Sequence, residues 1–437
     1  MDYKIWRTKL KEINKFLQAE NIHIFYICIS SEKGNGIENL IKNFHIICLK
    51  DDDFWKHLTV EKNHYCVELN NPGIIIKNSY EIIKLNEVVD WIKSYNAKRT
   101  CVMTFKNTPR FEIITKEHDW ELLNNISKIS NFFENKFNLP DIATQANVKI
   151  PASRIEKLAN IQESELPCVA QLPFGHTGNG TFIINSLTDL KKLIDVYNQT
   201  KFKISQYVTG LPMNINGIVI NIGATLTTGL NIQLTGIPEL SLSNSVTCGN
   251  NYEFENNINE PVRIRIINTC KKIGKFLASN GYRGLFGIDI IIEENTNEIF
   301  LIEINARQTA NVSFYNIIQN TNCQLNSLLI HILTSLNFNL LISNDYSLTN
   351  SMSTNASQII CRNYYNKNFI IKDEIDSKKL SVNNGNVYLS SSNHEIGIEE
   401  EVFRIQYINE TISINNELNE VTLSTISNIK SALKLKY

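Results

Sequence analysis

The residues best placed to do chemistry lie between Tyr282 and Ala310, in YRGLFGIDIIIEENTNEIFLIEINARQTA. Leu285–Glu293 is rich in isoleucine, Glu294–Glu298 is polar, and Ile299–Asn305 is again apolar, a pattern that predicts a β-hairpin. Side chains alternate faces along a strand. Leu301, Glu303, Asn305 and Arg307 then share one face, while Ile302, Ile304 and Ala306 turn toward a core. A hairpin symmetric about Thr296 sets Asp289 directly opposite Glu303. Two carboxylates facing each other on paired strands repel, and a divalent cation removes that repulsion. Hard oxygen ligands beside an amide suit Mg²⁺ or Mn²⁺, with phosphates completing the octahedron. The plainer alternative is a solvated polar face on an amphipathic hairpin.

The runs RGLFGIDIII and IFLIEINARQTA resemble the metal-site hairpin of the ATP-grasp superfamily, the fold of carboxylate–amine ligases and biotin carboxylase. The resemblance implies that Asp289, Glu303 and Asn305 hold the magnesium ions of Mg-ATP. It also implies that Arg307 is catalytic and stabilises acyl-phosphate chemistry.

A second motif is PCVAQLPFGHTGNGTFII, Pro167–Ile184. A strand at Cys168–Leu172 leads into Gly175, His176, Thr177, Gly178, Asn179, Gly180 and Thr181, and another strand follows. Glycines permit close backbone approach, so successive N–H groups can line an anion nest. The stretch resembles the glycine-rich loop that folds over ATP phosphates in the same superfamily. One position departs from that pattern. The family carries a lysine on the strand before the loop, and here the residue is Gln171. Glutamine can hydrogen-bond phosphate or adenine but brings no charge. Another cation substitutes, or phosphate affinity is weaker, or glutamine has its own role; His176 is one candidate substitute.

Two further stretches fit the resemblance. ENKFNLPDIATQANVKIPAS matches the segment entering the small subdomain, with Lys136 as the phosphate-touching lysine and Ile150–Pro151 as the pair that opens the subdomain. KISQYV matches the hinge, with Gln206 where an acid is usual and with Tyr207 and Val208 presenting their backbone to adenine.

The elements that position these motifs follow from periodicity. Residues 1–19 predict an amphipathic helix. Strands at Ile22–Ser30, His45–Leu49 and Thr100–Phe105 alternate with helices near Asp53–Val60 and Asn86–Tyr95, an α/β layer pattern. Gly34 and Gly36 lack the spacing of a phosphate loop and read as a turn into a helix. Residues 118–139 read as helical, ending before Pro140. Leu187–Tyr197 is a helix capped by Ser186. Pro212–Thr227 reads as two strands around Asn216-Gly217, and Ser241–Tyr252 as a polar loop. Arg263–Ser279 is a helix, and Thr309–His331 becomes one. Short strands follow at Ser357–Tyr364, Phe369–Ile371, Val387–Ser390 and Val402–Ile408, then a helix at Leu423–Leu433.

The expected fold class is therefore α/β (α+β), with an N-terminal α/β layer domain, a two-subdomain ATP-grasp core and a C-terminal β-rich lobe. The N-terminal domain spans 1–122. The linker helix and small subdomain with the glycine-rich loop span 123–207, the large subdomain with the metal hairpin 208–338, and the lobe 339–437.

Composition excludes other classes. The chain has 437 residues, 43% of them hydrophobic, and a net charge of −1, with no basic footprint for nucleic acid. No apolar run is long enough to span a membrane, and the N-terminus lacks a signal-peptide core. Nine cysteines are scattered with no C-x-x-C or zinc spacing, which points to free thiols in a reducing cytoplasm. The abundance of Asn, Ile and Lys reads as genome base bias.

The expected function is an ATP-dependent ligase. It would activate a small-molecule or peptide carboxylate as an acyl phosphate and couple it to an amine or thiol. Its cofactors would be ATP and Mg²⁺ or Mn²⁺. Its partners would be carboxylate and amine substrates, amino acids or peptides among them, with a homodimer as the candidate assembly. Two alternatives stay open: an ATP-grasp kinase for a small molecule, and a nucleotide-binding regulatory protein without turnover.

Overall fold

A computed structural model of the chain describes residues 3–58, 63–175, 180–221, 224–243, 245–253, 258–338, 355–365, 367–371, 377, 380, 382–390, 395–408, 412–414 and 417–433. The N-terminal part contains α1 (Tyr3–Ala19), β1 (Ile22–Cys28), β2 (Phe44–Cys48), α2 (Asp53–Lys56), β3 (Tyr65–Cys66), α3 (Val67–Asn70), α4 (Ser79–Ile83), α5 (Asn86–Lys93), β4 (Arg99–Thr104), α6 (Pro109–Glu117) and β5 (Glu121–Leu122). The strands form a parallel sheet in the order β3-β2-β1-β4-β5. Its inner strands are buried on both faces, which explains their unbroken apolar runs.

The connection from β1 to β2 is not the expected helix. After a 3-10 turn at Ser31–Gly34 the chain continues in turns. Its backbone carbonyls find partners elsewhere in the fold. Asn320 and Asn326 donate to the Gly36 oxygen, and Gln308 donates to the Lys33 oxygen. Gly36 has φ +95°, and a Cβ there would lie 2.7 Å from the Asn316 side chain. The two glycines lie in turns, as expected, and both pack closely against neighbours, Gly34 on Ile46 and Gly36 on Asn316.

The region expected to be one helix over 118–139 is divided. It holds β5, then α7 (Ser127–Glu134), then a turn, and α8 (Leu139–Ala146) begins with Pro140 in its first turn. Proline is suited to that position because its missing N–H has no partner there anyway. A small antiparallel sheet follows, β6 (Ser153–Lys157), β7 (Cys168–Gln171), β8 (Thr181–Ile184) and β9 (Lys201–Gln206), in the order β6-β9-β7-β8. Helix α9 (Leu187–Tyr197), capped by Ser186, covers one face through Leu190, Phe202, Ile204 and Ala170.

The largest sheet contains β10 (Gly210–Asn221), β11 (Ala224–Thr227), β12 (Asn231–Thr235), β13 (Thr247–Asn251), β14 (Gly284–Glu293) and β15 (Ile299–Asn305), backed by α10 (Glu260–Ser279). Asn216-Gly217 is no turn. It lies inside the long strand β10, where a Cβ on Gly217 would meet the Phe286 ring at 2.3 Å. Cys248-Gly249-Asn250 is strand rather than loop. Two helices, α11 (Val312–Thr321) and α12 (Ser327–Ser335), replace the single one expected there.

The C-terminal segment adds β16 (Ala356–Arg362), β17 (Phe369–Ile370), β18 (Gly385–Leu389), β19 (Glu395–Ile396), β20 (Glu401–Ile408), β21 (Ser413–Ile414), β22 (Glu417–Leu418) and α13 (Glu420–Ala432). Strand β16 pairs with β13, so these strands lengthen the large sheet. Among the described residues that sheet has nine strands, ordered β15-β14-β10-β12-β13-β16-β20-β18 with β11 attached to β10. No described helix is long and apolar enough to cross a membrane. All nine cysteines are free thiols, and all but Cys323 are buried.

Candidate active site

The hairpin β14–β15 sets Asp289 opposite Glu303, as its symmetry predicts. The ladder reaches that register through a bulge. Beyond Asp289 the pairing shifts, so that Ile290 faces Leu301 and Ile302 is the extra residue. Leu301 therefore turns into the core at 0% exposure, while Ile302 is partly exposed, the reverse of simple alternation. A bulge re-aims the side chains on either side of it, and here it brings Glu303 to Asp289.

Asp289 is ringed by amides. Asn214 and Gln233 donate to Oδ1 at 2.6 and 2.9 Å, and Asn305 donates to Oδ2 at 3.0 Å. Burial, reinforced by the Glu303 charge, pushes the Asp289 carboxyl up to about 6. This is the electrostatic tension a cation would relieve. Two carboxylates and an amide oxygen on one strand pair supply hard donors for Mg²⁺, and phosphates would have to complete the shell. Among the described residues no cluster of three or more His, Cys, Asp or Glu could hold a metal unaided.

The polar surroundings of Asp289 extend across the sheet. Asn311 donates to Asn214 Oδ1 at 2.9 Å, Asn250 to Asn231 Oδ1 at 2.8 Å, and Gln358 to Asn250 Oδ1 at 2.9 Å. These buried amides satisfy one another. At the far strand, Arg404 lies buried against Glu32 at 2.8 Å and Glu401 at 2.7 Å.

Lys136, in the turn between α7 and α8, joins the hairpin to the glycine-rich stretch. Its ammonium lies 2.9 Å from Glu303 Oε1, and its backbone N–H donates to the Pro173 oxygen at 3.0 Å. Gln171 ends β7 and donates to Thr181 Oγ1 at 3.3 Å. Gly175 and Gly180 flank the loop, and Gly180 has φ +84°. His176, Thr177 and Gly178 lie outside the described residues. Strand β9 ends at Gln206 and β10 opens at Gly210, so Tyr207 and Val208 connect the small sheet to the large one. The Gln206 side chain is exposed, while its N–H donates to the Ala152 oxygen.

Arg307 reaches away from the hairpin. Its guanidinium donates to Glu134 Oε1 and to Asn305 Oδ1, both at 2.8 Å, and it sits 5.8 Å from the Phe105 ring centroid. Lys106 pairs with the second Glu134 oxygen at 3.1 Å. Burial, aided by Arg307 and Lys136, holds the Lys106 ammonium below the usual lysine range despite Glu134.

Lys203 is the residue that motif reading missed. It lies on β9 directly across from Gln171 on β7. It is 2% exposed, and no ion pair or hydrogen bond to its ammonium is found among the described residues. Burial first, then the charge of Lys136, push its ammonium down to about 8, against the pull of Glu303. The neighbouring strand thus brings a lysine beside Gln171, the position at which the family resemblance leads one to expect a lysine. Alternation along KISQYV could have signalled it. Phe202 and Ile204 point into the core, so Lys203 and Ser205 must face the other way.

A test follows from the register. Lys203→Gln should weaken binding of a non-hydrolysable ATP analogue by about tenfold or more, the scale of one charged hydrogen bond. Gln171→Lys alone should bring no gain, because two lysines would then face each other across the strands. Gln171→Lys combined with Lys203→Gln should restore binding. The pH dependence has a definite sign. Phosphate favours the charged lysine, so affinity should hold below about pH 8 and fall as pH rises above it, with proton uptake on binding. Stability of the free protein runs the other way, rising with pH from about 8 toward the unfolded value. Calorimetry in buffers of differing ionisation enthalpy reads the proton uptake, and a flat profile would remove Lys203 from the phosphates.

The structure thus brings together a glycine-rich strand pair and a carboxylate hairpin, connected through Tyr207–Val208 and bridged by Lys136. Residues 133–311 match the family described as ATP-grasp domain. Along the sequence the chain is similar to a [butirosin acyl-carrier protein]–L-glutamate ligase of Niallia circulans, 25% identical over 143 residues; the match spans 32% of this chain and 33% of that ligase. In structure it is similar to a biotin carboxylase of Campylobacter jejuni described as a β-γ-ATP complex, with a TM-score of 0.64 and 13% identity, over 94% of this chain and 90% of the other. It is also similar to an L-amino acid ligase of Bacillus licheniformis, with a TM-score of 0.60 and 13% identity, over 94% and 97% of the two chains.

Proposed function

We propose that this protein is an ATP-dependent carboxylate–amine ligase. The observation that carries the reading is the Asp289–Glu303 pair, with Arg307 held beyond it by Asn305 and Glu134. Asp289, Glu303 and Asn305 would hold Mg²⁺ or Mn²⁺, which, when bound with ATP, neutralises phosphate charge. Lys136, Lys203 and the amides around Gly175–Thr181 would orient the phosphates. Tyr207 and Val208 would present backbone groups to the adenine.

The reaction then needs positioning more than covalent help from the protein. A substrate carboxylate oxygen attacks the γ-phosphorus of ATP, and ADP leaves. An amine attacks the resulting acyl phosphate, forming the amide and releasing phosphate. The Arg307 fork suits the acyl phosphate and the oxyanion that forms during that attack. The relatives named as a glutamate ligase and an L-amino acid ligase make amino acids the first substrates to try. The Lys203 ammonium opposite Gln171 weighs against a protein that has lost its phosphate grip.

The test is a screen of amino acids and other carboxylates, in pairs with amines, for ATP-dependent phosphate release. A ligase yields ADP, phosphate and an amide together, with the amide read by mass spectrometry. A phosphorylated product that forms without any amine would identify a kinase instead.

A further inference from the structure

A second cationic site lies in the N-terminal sheet. The strand order β3-β2-β1-β4-β5 reverses direction between β1 and β4. In open parallel sheets ligands bind beyond the carboxyl ends of the strands at such a point. A cavity of about 360 Å³ occupies that position here. Its walls are Ser30 after β1, Lys50 after β2, Phe105 and Lys106 after β4, and the start of α6, with Lys33 and Lys77 closing the sides. Four lysines line it and no acidic residue does.

The charge count selects a ligand. Lys33 pairs with Glu32 at 2.6 Å and Lys106 with Glu134 at 3.1 Å. Lys50, half-buried, and Lys77, at the rim, form no ion pair among the described residues. Asp52 and Glu81, the acids whose charge these two lysines offset, take their hydrogen bonds elsewhere. Asp52 accepts from Ser30 and from the Trp55 N–H, and Glu81 accepts from the Lys77 and Asn78 N–H groups. Asp52 and Glu81 feel the Lys50 and Lys77 charges without touching them, and the lining itself carries four ammonium groups and no carboxylate, which matches a dianion better than a single carboxylate. The cavity also adjoins the reacting centre. The Phe105 ring carries the Lys33 ammonium 5.2 Å from its centroid and the Arg307 guanidinium at 5.8 Å.

We infer that this pocket binds the phosphate monoester of a phosphorylated substrate, placing the rest of that molecule toward Arg307. The binding stands on the pocket alone; that the molecule is a substrate rests on the ligase reading above.

The experiment uses the full chain with its nucleotide site saturated by a non-hydrolysable Mg-ATP analogue. Inorganic phosphate is then titrated by calorimetry, with acetate as competitor. Saturable phosphate binding is expected, weakened at least about tenfold in Lys50→Gln/Lys77→Gln, with affinity for the analogue unchanged. Lys77→Glu alone, a change at the exposed rim, should weaken phosphate in the same direction and covers the case in which the double variant fails to fold. Phosphate affinity that ignores these substitutions would overturn the inference, as would acetate competing as well as phosphate does. Phosphate binding here without turnover of any carboxylate would sink the ligase reading and leave the pocket standing.

Discussion

Glu303→Gln is expected to lower turnover by at least about a hundredfold, the scale of losing one preorganised electrostatic group. The substitution keeps the shape and one acceptor for Lys136, which lies 2.9 Å from Glu303 Oε1. It removes a charge from the proposed metal site, and with it the carboxylate that helps Lys203 keep its proton. Nucleotide binding should lose most of its dependence on Mg²⁺, and Lys203 should lose its proton at a lower pH. The thermal midpoint without nucleotide should change modestly, because buried Lys136 loses its ion-pair partner while the like-charge pressure on Asp289 is relieved. Phosphate release and analogue titrations with and without Mg²⁺ measure these effects. Undiminished turnover would sink the metal assignment.

Arg307→Lys should lower kcat by about a hundredfold or more and change the KM for ATP little, because the charge it meets develops mainly in the transition state. Lysine keeps the charge but loses the fork that now spans Glu134 and Asn305. That same pair of contacts supports the plainer role of an arginine that ties the strand end to α7. Under that role the variant would lose stability, since Glu134 is 5% exposed and an ammonium cannot bridge it to Asn305 as the guanidinium does. Thermal midpoint and steady-state kinetics, measured side by side, separate the two. A destabilised protein with normal kcat per folded molecule would refute the catalytic role.

The legible parts of the site were those written in contiguous residues. The hairpin, the glycine-rich stretch and the Lys136 segment each occupy a single run whose alternation or glycine content carries the signal. The symmetric hairpin even paired Asp289 with Glu303 correctly, although the ladder gets there through the bulge at Ile302. What stayed hidden was made by strands and helices distant in sequence. Lys203 gains meaning only once β9 lies beside β7. Glu134 gains it only when α7 meets Arg307, some 173 positions away. Asparagine abundance was equally opaque. Read as base bias, it includes Asn214, Asn231, Asn250 and Asn311, buried amides whose partners come from other strands and loops. Glycine misled in the opposite way. Gly217 and Gly249 look like turn residues, yet they sit in strands where neighbours come too close for a side chain.

The union of β13 with β16 bears on how the chain is born. Asn250 and Gln358 hydrogen-bond across that junction from positions 108 residues apart. While the ribosome is still making the intervening chain, β13 has an open edge, a template for wrong pairing. Closing so distant a contact is slow. A nascent chain stalled before β16 would present β13 to any passing strand, so shortened forms ending near residue 338 should be caught by chaperones or precipitate, however well the nucleotide-binding half is made.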